Sequence, residues 1–161
     1  MSAETDIHPN KLPGPGLDRA ASASEQHRLD SQMGPVRNER EFRVLVVDND
    51  ADAATSLCGV LRALGCKTAE AHSGMECLEI AFSFDPHLSF IDLEMPGMSG
   101  DQVVRKLRAA ESPLHGKLIC LTGHGRVDDR WRCLSAGFDD LVTKPMAFRT
   151  LVSALADLRD G

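Results

Sequence analysis

Four residues that can bind a cation or a phosphoryl group each follow a short apolar run. They are Asp48, Asp92, Thr122 and Lys144. Apolar runs of this length are typical of buried strands in a parallel sheet. Because the carboxyl ends of parallel strands lie along one edge of the sheet, we expect the four side chains to converge on one site. Two carboxylates, a hydroxyl and an ammonium together are suited to binding a metal ion and a phosphoryl group.

The rest of the sequence supplies the elements that would position this site. From residue 41 onward, runs of strand length alternate with segments of helical periodicity. The predicted strands cover residues 42–47, 66–71, 88–91, 117–121 and 141–143, and the predicted helices cover residues 50–64, 73–82, 99–110, 127–135 and 147–158. Five strand–helix units in succession predict an α/β fold, in which helices cover both faces of a parallel sheet.

Apolar spacing also predicts which face of three helices is buried. These faces are Ala54, Leu57, Leu61 and Leu64 in the first helix, Met75, Leu78, Ala81 and Phe82 in the second, and Phe148, Leu151, Val152 and Leu155 in the last. Each set follows the spacing of one helix face. We therefore expect these sets to form the helical part of the core.

The helix over residues 127–135 allows two interpretations. Trp131 and Leu134, three positions apart, would usually be a core pair. Alternatively, the inward stripe is Val127, Arg130, Cys133 and Ala136. Leu134 and part of Trp131 would then face outward and could bind a partner.

The first forty residues differ in composition from the rest of the chain. They are rich in proline, glycine, serine and charged residues, and they have no sustained apolar period. Such a segment buries too little apolar surface to offset the entropy lost on ordering. We therefore predict a disordered extension over residues 1–40 and one domain over residues 41–161.

Composition argues against several classes of protein. The net charge of −6 disfavours a nucleic-acid-binding surface. No apolar run approaches the roughly 18 residues that a membrane span needs, and no hydrophobic signal segment begins the sequence. The five cysteines show no C-x-x-C spacing, so we expect them to be reduced and buried rather than paired or bound to zinc. These features predict a cytoplasmic protein that binds neither nucleic acid nor membrane.

Several motifs, together with the four residues at the strand ends, resemble one known family. They are Asp-Ala-Ala-Thr-Ser-Leu at residues 52–57, Leu-Thr-Gly at 121–123 and Ala-Gly-Phe-Asp at 136–139. From about residue 43 to residue 158, the chain resembles the receiver domain of two-component response regulators. It is most similar to receivers that stand alone or are fused to hybrid sensor kinases. The resemblance implies a flavodoxin-like, doubly wound five-stranded parallel sheet of order 2-1-3-4-5 with helices on both faces.

The resemblance also implies a role for each site residue. Asp92 would accept the phosphoryl group, while Lys144 and Thr122 would contact phosphoryl oxygens. Mg²⁺ would be held by Asp48, Asn49 and Asp92 and by the backbone carbonyl of Glu94. The Lys144–Pro145 peptide bond is expected to be cis, as is common in the family.

Two positions depart from the family pattern. Asn49 stands where most members have a second acid, and this predicts weaker binding of Mg²⁺. Asp50 cannot replace that acid, because successive side chains of an extended segment point in opposite directions; Asp50 or Asp52 is expected to act at the start of a helix. Leu141 replaces the usual Tyr or Phe that moves with the threonine, so the output is expected to respond less to phosphorylation.

Glu94 and His124 occupy positions that flank the path of attacking water in the family. They could tune the lifetime of the phosphoryl group, or they could be ordinary solvated loop residues. Both interpretations remain open.

The favoured function is a stand-alone receiver that is not itself an enzyme. It would accept phosphate from a sensor histidine kinase or a histidine phosphotransfer protein and signal through protein contacts or onward phosphorelay. An alternative is a degenerate receiver that binds a partner without phosphorylation. A phosphatase of the haloacid-dehalogenase type is disfavoured, because that family has Asp-x-Asp after its first strand and this chain has Asp-Leu-Glu after its third.

Overall fold

The computed structural model describes residues 41–111 and 113–161, so the prediction for residues 1–40 lies outside the described part. The strands are β1 (Arg43–Val47), β2 (Lys67–Ala71), β3 (Leu88–Asp92), β4 (Lys117–Thr122) and β5 (Asp140–Thr143). The helices are α1 (Ala51–Ala63), α2 (Gly74–Phe84), α3 (Gly100–Ala109), α4 (Val127–Ala136) and α5 (Phe148–Asp160). The alternating strand and helix pattern predicted from the sequence is therefore confirmed.

The five strands form one parallel sheet in the order β2-β1-β3-β4-β5. This order confirms the doubly wound fold. Val47 pairs with Ile91 near the ends of the neighbouring strands β1 and β3, and Thr122 pairs with Thr143 at the ends of β4 and β5. The winding reverses between β1 and β3, so a crevice opens at the carboxyl ends of these two strands.

Alternating side chains of the sheet pack into two apolar layers. In β1, Leu45 and Val47 join the cluster that includes buried residues of α2, α3 and α4. Val44 and Val46 point to the other side and join the cluster that includes α1 and α5. Because both faces of β1 are buried beyond its first residue, the strand is apolar from Val44 to Val47, as expected for the centre of a parallel sheet.

The predicted helix faces are only partly correct. The predicted face of α1 holds, and Cys58 adds to it. In α2 and α5 the buried sets are Gly74, Cys77 and Ala81, and Leu151, Ala154 and Leu155. Four large apolar residues assigned to the core are exposed instead, namely Met75, Phe82, Phe148 and Val152. Small residues take their places, because a small side chain lets a helix pack closely against the sheet.

The outward interpretation of α4 is supported, although its inward stripe was partly wrong. Cys133 and Ala136 are buried, as expected, while Trp131 is 71% and Leu134 is 45% exposed. Two members of the assigned inward stripe are exposed instead, namely Val127, at 76%, and Arg130. Val127, Trp131 and Leu134 therefore form an exposed apolar strip along α4.

The cysteines behave as the sequence predicted, since all five are free and buried. None of the helices within residues 41–111 and 113–161 is long and apolar enough to cross a membrane.

Gly100 marks a close approach between α3 and the end of β3. A Cβ atom placed on Gly100 would overlap with the backbone oxygen of Asp92. We expect Gly100→Ala to lower the free energy of unfolding by about 1–3 kcal/mol, the usual cost of overpacking. Chemical denaturation followed by circular dichroism would measure this loss.

Gly59, in the middle of α1, provides a matched control for that substitution. A Cβ placed there meets no atom within 4 Å. Gly59→Ala should therefore stabilise the protein by roughly 1 kcal/mol, because alanine favours the helix over glycine. Equal effects of the two substitutions would contradict the close packing proposed at Gly100.

Candidate functional site

The structure brings together two carboxylates and an ammonium at the carboxyl edge of the sheet. The Nζ atom of Lys144 lies 2.6 Å from Oδ2 of Asp48 and 3.3 Å from Oδ2 of Asp92. Both aspartates are buried, with 3% and 6% exposure. Asp92 ends β3 and Asp48 directly follows β1, so the pairing of these strands places both acids at the same point.

Lys144 reaches the acids from the far side of β4. Its backbone N–H donates to the carbonyl of Thr122 at 2.8 Å, and this bond continues the pairing of β4 with β5. The Lys144–Pro145 peptide bond is cis, as expected. The end of β5 therefore directs the ammonium across the ends of β4 and β3 to Asp48.

Thr122 lies at the same edge but is not hydrogen-bonded to the acids among the described residues. Its side chain is buried, and its hydroxyl oxygen accepts a hydrogen bond from the N–H of His124 at 3.3 Å. His124 itself is exposed. The threonine is thus held at the rim, where its hydroxyl could donate to a group bound beside Lys144.

The acids and the lysine affect one another's protonation. Burial is the main reason why the pKa of Asp92 lies above its usual value, and the nearby charge of Asp48 raises it further. Lys144 and the backbone N–H of Glu94, which donates to Oδ1 of Asp92 at 3.2 Å, offset part of this rise. Burial lowers the pKa of Lys144, but its contacts with Asp48 and Asp92 outweigh burial and raise it overall. Two buried carboxylates thus share a single ammonium in this site.

This donor set fits a hard divalent cation. Mg²⁺ is usually bound by one or two carboxylates, with water and substrate oxygens completing its shell. The described residues contain no group of three or more histidine, cysteine or acidic side chains that could form a closed cage. Two carboxylates that repel each other in a buried position are what an added cation would stabilise.

The turn after β1 fixes Asp48 and separates the roles of its neighbours. Oδ1 of Asp48 accepts from the N–H of Asp50 at 2.9 Å. The side chain of Asp50 accepts from the N–H groups of Asp52 and Ala53 and caps α1, which confirms the expected helix-capping role. Asn49 is exposed beside Asp48. Its role as a metal ligand stays a prediction.

An ion-pair network beside the site was not predicted from the sequence. Arg132 of α4 donates to Glu94 and to Asp101 at the start of α3, and Arg105 donates to the second oxygen of Asp101 at 3.1 Å. Asp101 is only 5% exposed. In the sequence, the one available signal was an acid in the first turn of a helix, which by itself indicates no more than a favourable dipole contact.

Asp101 should make stability depend on pH. Burial alone raises its pKa, but hydrogen bonds from Arg132 and Ser99 and the charge of Arg132 outweigh burial and lower the pKa overall. A lowered folded-state pKa stabilises the fold above the unfolded-state pKa, and this contribution disappears as pH falls through the folded-state value. We expect Asp101→Asn to cost about 1.5–3 kcal/mol at neutral pH, the range for hydrogen bonds to charged groups.

Urea denaturation at several pH values would measure this difference. The difference in free energy of unfolding between the native protein and Asp101→Asn should become smaller at acidic pH. Asp140→Asn is a suitable control, because the side chain of Asp140 is exposed and, among the residues that the structure describes, accepts only from the N–H of Leu141. A gap that does not change with pH would contradict the proposed ionic origin.

Comparison with known proteins assigns the chain to a family. The family model of the response regulator receiver domain matches residues 44–156. The chain belongs to this family. The motifs and the strand-end residues that suggested the resemblance lie within the matched segment.

Relatives of known name support the same family. The transcriptional regulatory protein PrrA of Mycobacterium tuberculosis is 38% identical over 116 residues, and PhoB of Pseudomonas aeruginosa, a phosphate regulon transcriptional regulatory protein, is 30% identical over 112 residues. These matches cover 72% and 70% of this chain. The chain spans about half the length of these curated relatives, 49% in each case.

Solved structures agree with the fold. A putative response regulator from Chloroflexus aurantiacus is 25% identical, with a TM-score of 0.69, and the match covers 76% of this chain and 100% of that one. The chemotaxis protein CheY4 of Vibrio cholerae is 22% identical, with a TM-score of 0.68 over 73% of this chain and 98% of that one. The CheY4 likeness shows the fold alone.

Proposed function

We propose that this receiver accepts a phosphoryl group on Asp92 from a phosphohistidine of a sensor histidine kinase or a histidine phosphotransfer protein. The observation that carries the proposal is the convergence of Asp48, Asp92 and Lys144 at the carboxyl ends of β1, β3 and β5. A buried carboxylate beside an ammonium can act as a nucleophile toward phosphorus while the cation neutralises charge on the transferred group. Membership of the receiver family supports the same reaction.

The transfer exchanges one bond to phosphorus for another. A carboxylate oxygen of Asp92 forms the new O–P bond as the N–P bond of the phosphohistidine breaks, and the electron pair of that bond returns to the imidazole nitrogen. The product is an acyl phosphate on Asp92. Lys144 would contact one phosphoryl oxygen and the Thr122 hydroxyl another, so that charge on the equatorial oxygens is neutralised.

Mg²⁺ fits the acidic side of this site. Asp48 and Asp92 would hold it together with Asn49 and the backbone carbonyl of Glu94, and the bound cation would neutralise charge on the phosphoryl oxygens. The arrangement of two buried carboxylates around a single ammonium supports this assignment.

Asn49 should weaken the affinity for Mg²⁺, because its amide offers an oxygen but no charge. We expect Asn49→Asp to tighten Mg²⁺ binding by up to about tenfold, a gain of roughly 1.4 kcal/mol. A titration that follows phosphorylation rate against Mg²⁺ concentration would measure the change. Asp50→Asn is a useful comparison because the Asp50 side chain caps α1. An unchanged Mg²⁺ dependence in Asn49→Asp would remove Asn49 from the metal site.

We further propose that the receiver signals through protein contacts or onward phosphotransfer, without binding nucleic acid or membrane and without enzymatic activity of its own. The match to the Chloroflexus aurantiacus regulator covers the whole of that chain, which supports a stand-alone receiver. Membership of the receiver family supports a location in the cytoplasm. The exposed apolar residues of α4, Trp131 and Leu134, supply a surface for a partner.

The test is incubation of the full chain with a small phosphodonor such as acetyl phosphate and Mg²⁺. Intact-mass measurement should show one added phosphate, and EDTA should prevent it. A protein that takes up no phosphate but still binds a partner would instead be a degenerate receiver. That result would overturn the proposed function.

A further inference from the structure

Arg132 connects α4 to two segments beside the acceptor aspartate. Its Nη1 atom donates to Oε1 of Glu94 at 3.2 Å, and its Nη2 atom donates to Oδ1 of Asp101 at 2.7 Å. Glu94 is the second residue after Asp92, and Asp101 lies in the first turn of α3. One guanidinium therefore contacts both the loop after β3 and the helix to which that loop leads.

The two contacts of Arg132 differ in strength. The side chain of Asp101 is 7% exposed and also accepts from Arg105, whereas the side chain of Glu94 is 64% exposed. Exposed ion pairs contribute little to stability, while a buried carboxylate that loses its cation is strongly destabilising. Asp101 thus anchors Arg132, and the contact with Glu94 can open at low cost.

Glu94 is in turn connected to the chemistry at Asp92. Its backbone N–H donates to Oδ1 of Asp92 at 3.2 Å. Phosphorylation replaces the carboxylate of Asp92 by a neutral acyl group that bears a charged phosphoryl. A hydrogen bond to an ionised oxygen is stronger than one to a neutral oxygen. The strength of the hydrogen bond from the Glu94 N–H therefore changes when Asp92 is phosphorylated.

The position usually occupied by an aromatic residue offers no equivalent connection in this chain. Leu141 packs, partly buried, against the apolar cluster that includes α2, α3 and α4. Its side chain has no polar atom that could contact the acceptor site. Arg132, by contrast, makes ionic contacts from α4 to the loop of Asp92 and is adjacent to the exposed Trp131.

We infer that Arg132 is the positioning residue that couples the state of Asp92 to α4. Its contact with Glu94 biases α4 toward the unphosphorylated position, and this contact opens when Asp92 carries a phosphoryl group. The inference rests on the proposed function. It meets the requirement that a ligand shifts a conformational equilibrium only through interactions that differ between the two states.

The test measures the fluorescence of Trp131, the one tryptophan of the chain, before and after beryllofluoride and Mg²⁺ are added to the full chain. Beryllofluoride is a phosphate mimic that binds to the acceptor aspartate. Arg132→Gln removes the guanidinium. Arg132→Lys keeps the charge, but a single ammonium lacks the planar fork that contacts two separate carboxylates. Intact mass after treatment with a phosphodonor shows whether each variant still accepts phosphate.

Arg130→Gln is the matched control. Arg130 flanks Trp131 on the opposite side in sequence, is exposed and makes no ion pair within the part of the chain that the structure describes. The Arg130→Gln variant therefore shows whether removing an arginine next to Trp131 alters the fluorescence of its indole directly.

We expect the native protein and Arg130→Gln to show the same fluorescence change. Both Arg132 variants should lose most of it while still taking up one phosphate, and without the mimic their spectra should already resemble the mimic-bound native protein. If Arg132→Gln does not fold, Arg132→Lys decides the question. A full fluorescence change in the Arg132 variants would overturn the inference. So would a native protein that accepts phosphate with no change at Trp131. A native protein that accepts no phosphate would instead refute the proposed function.

Discussion

Asp92→Asn is expected to abolish phosphorylation of this protein. Asp92 is the buried carboxylate at the end of β3, within 3.3 Å of the ammonium of Lys144. An amide oxygen is a far weaker nucleophile than a carboxylate oxygen, so no acyl phosphate should form. With a small phosphodonor and Mg²⁺, intact mass should show one added phosphate on the native chain and none on the variant.

The substitution should leave the fold intact. The pKa of Asp92 is raised in the folded protein, chiefly by burial, so the charged form is disfavoured there. A raised folded-state pKa means that stability falls as pH rises from the unfolded-state value through the folded-state value. Without Mg²⁺ at neutral pH, the Asn variant should therefore unfold at the same or a higher temperature than the native chain. Equal labelling of a folded Asn variant would show that another residue accepts the phosphate.

The contact between Lys144 and Asp48 could be predicted from the sequence only in part. The two residues are 96 positions apart in the chain, yet their side chains meet at 2.6 Å. Alternating apolar runs predict parallel strands, and parallel strands end at one edge of the sheet. Periodicity does not give the order of the strands, however. That order came from the resemblance to receivers, and it is what brings Asp48 and Asp92 onto neighbouring strands.

Helix faces were harder to predict, because apolar periodicity treats every apolar residue alike. In α2, Met75 and Phe82 matched the expected spacing but are exposed, whereas Cys77, which was outside the predicted face, is buried together with the correctly predicted Ala81. The close fit between a helix and a sheet depends on volume as well as polarity. Only the packed structure shows that a small side chain occupies the contact.

The pair formed by Asp101 and Arg132 could not be predicted for a different reason. These residues are 31 positions apart and lie on two different helices. Their contact depends on the relative rotation of α3 and α4, which side-chain periodicity does not determine. For this reason, Arg132 could be identified as the partner of the buried Asp101 only from the structure.

Lys144→Gln is expected to slow phosphorylation by roughly 10²–10³-fold, the range found when one donor to a developing negative charge is removed. Lys144 is the ammonium that contacts both buried acids, at 2.6 and 3.3 Å. Without it, a positive charge is lost beside the incoming phosphoryl group, and Asp48 and Asp92 repel each other more strongly. The rate of phosphate uptake from a small phosphodonor, followed by intact mass at fixed Mg²⁺, would measure the loss.

Lys117→Gln is the matched control for this substitution. Lys117 starts β4, at the opposite end of the strand from Thr122, and its ammonium lies 3.4 Å from the exposed carboxylate of Asp157. The control removes the same charge from the same sheet but leaves the acidic site unchanged, so its rate should stay near the native value. Raising Mg²⁺ should partly restore the rate of Lys144→Gln, because a second cation can offset the repulsion between the two acids. Equal rates in the native chain and Lys144→Gln would show that the ammonium takes no part in phosphoryl transfer and only stabilises the resting carboxylates.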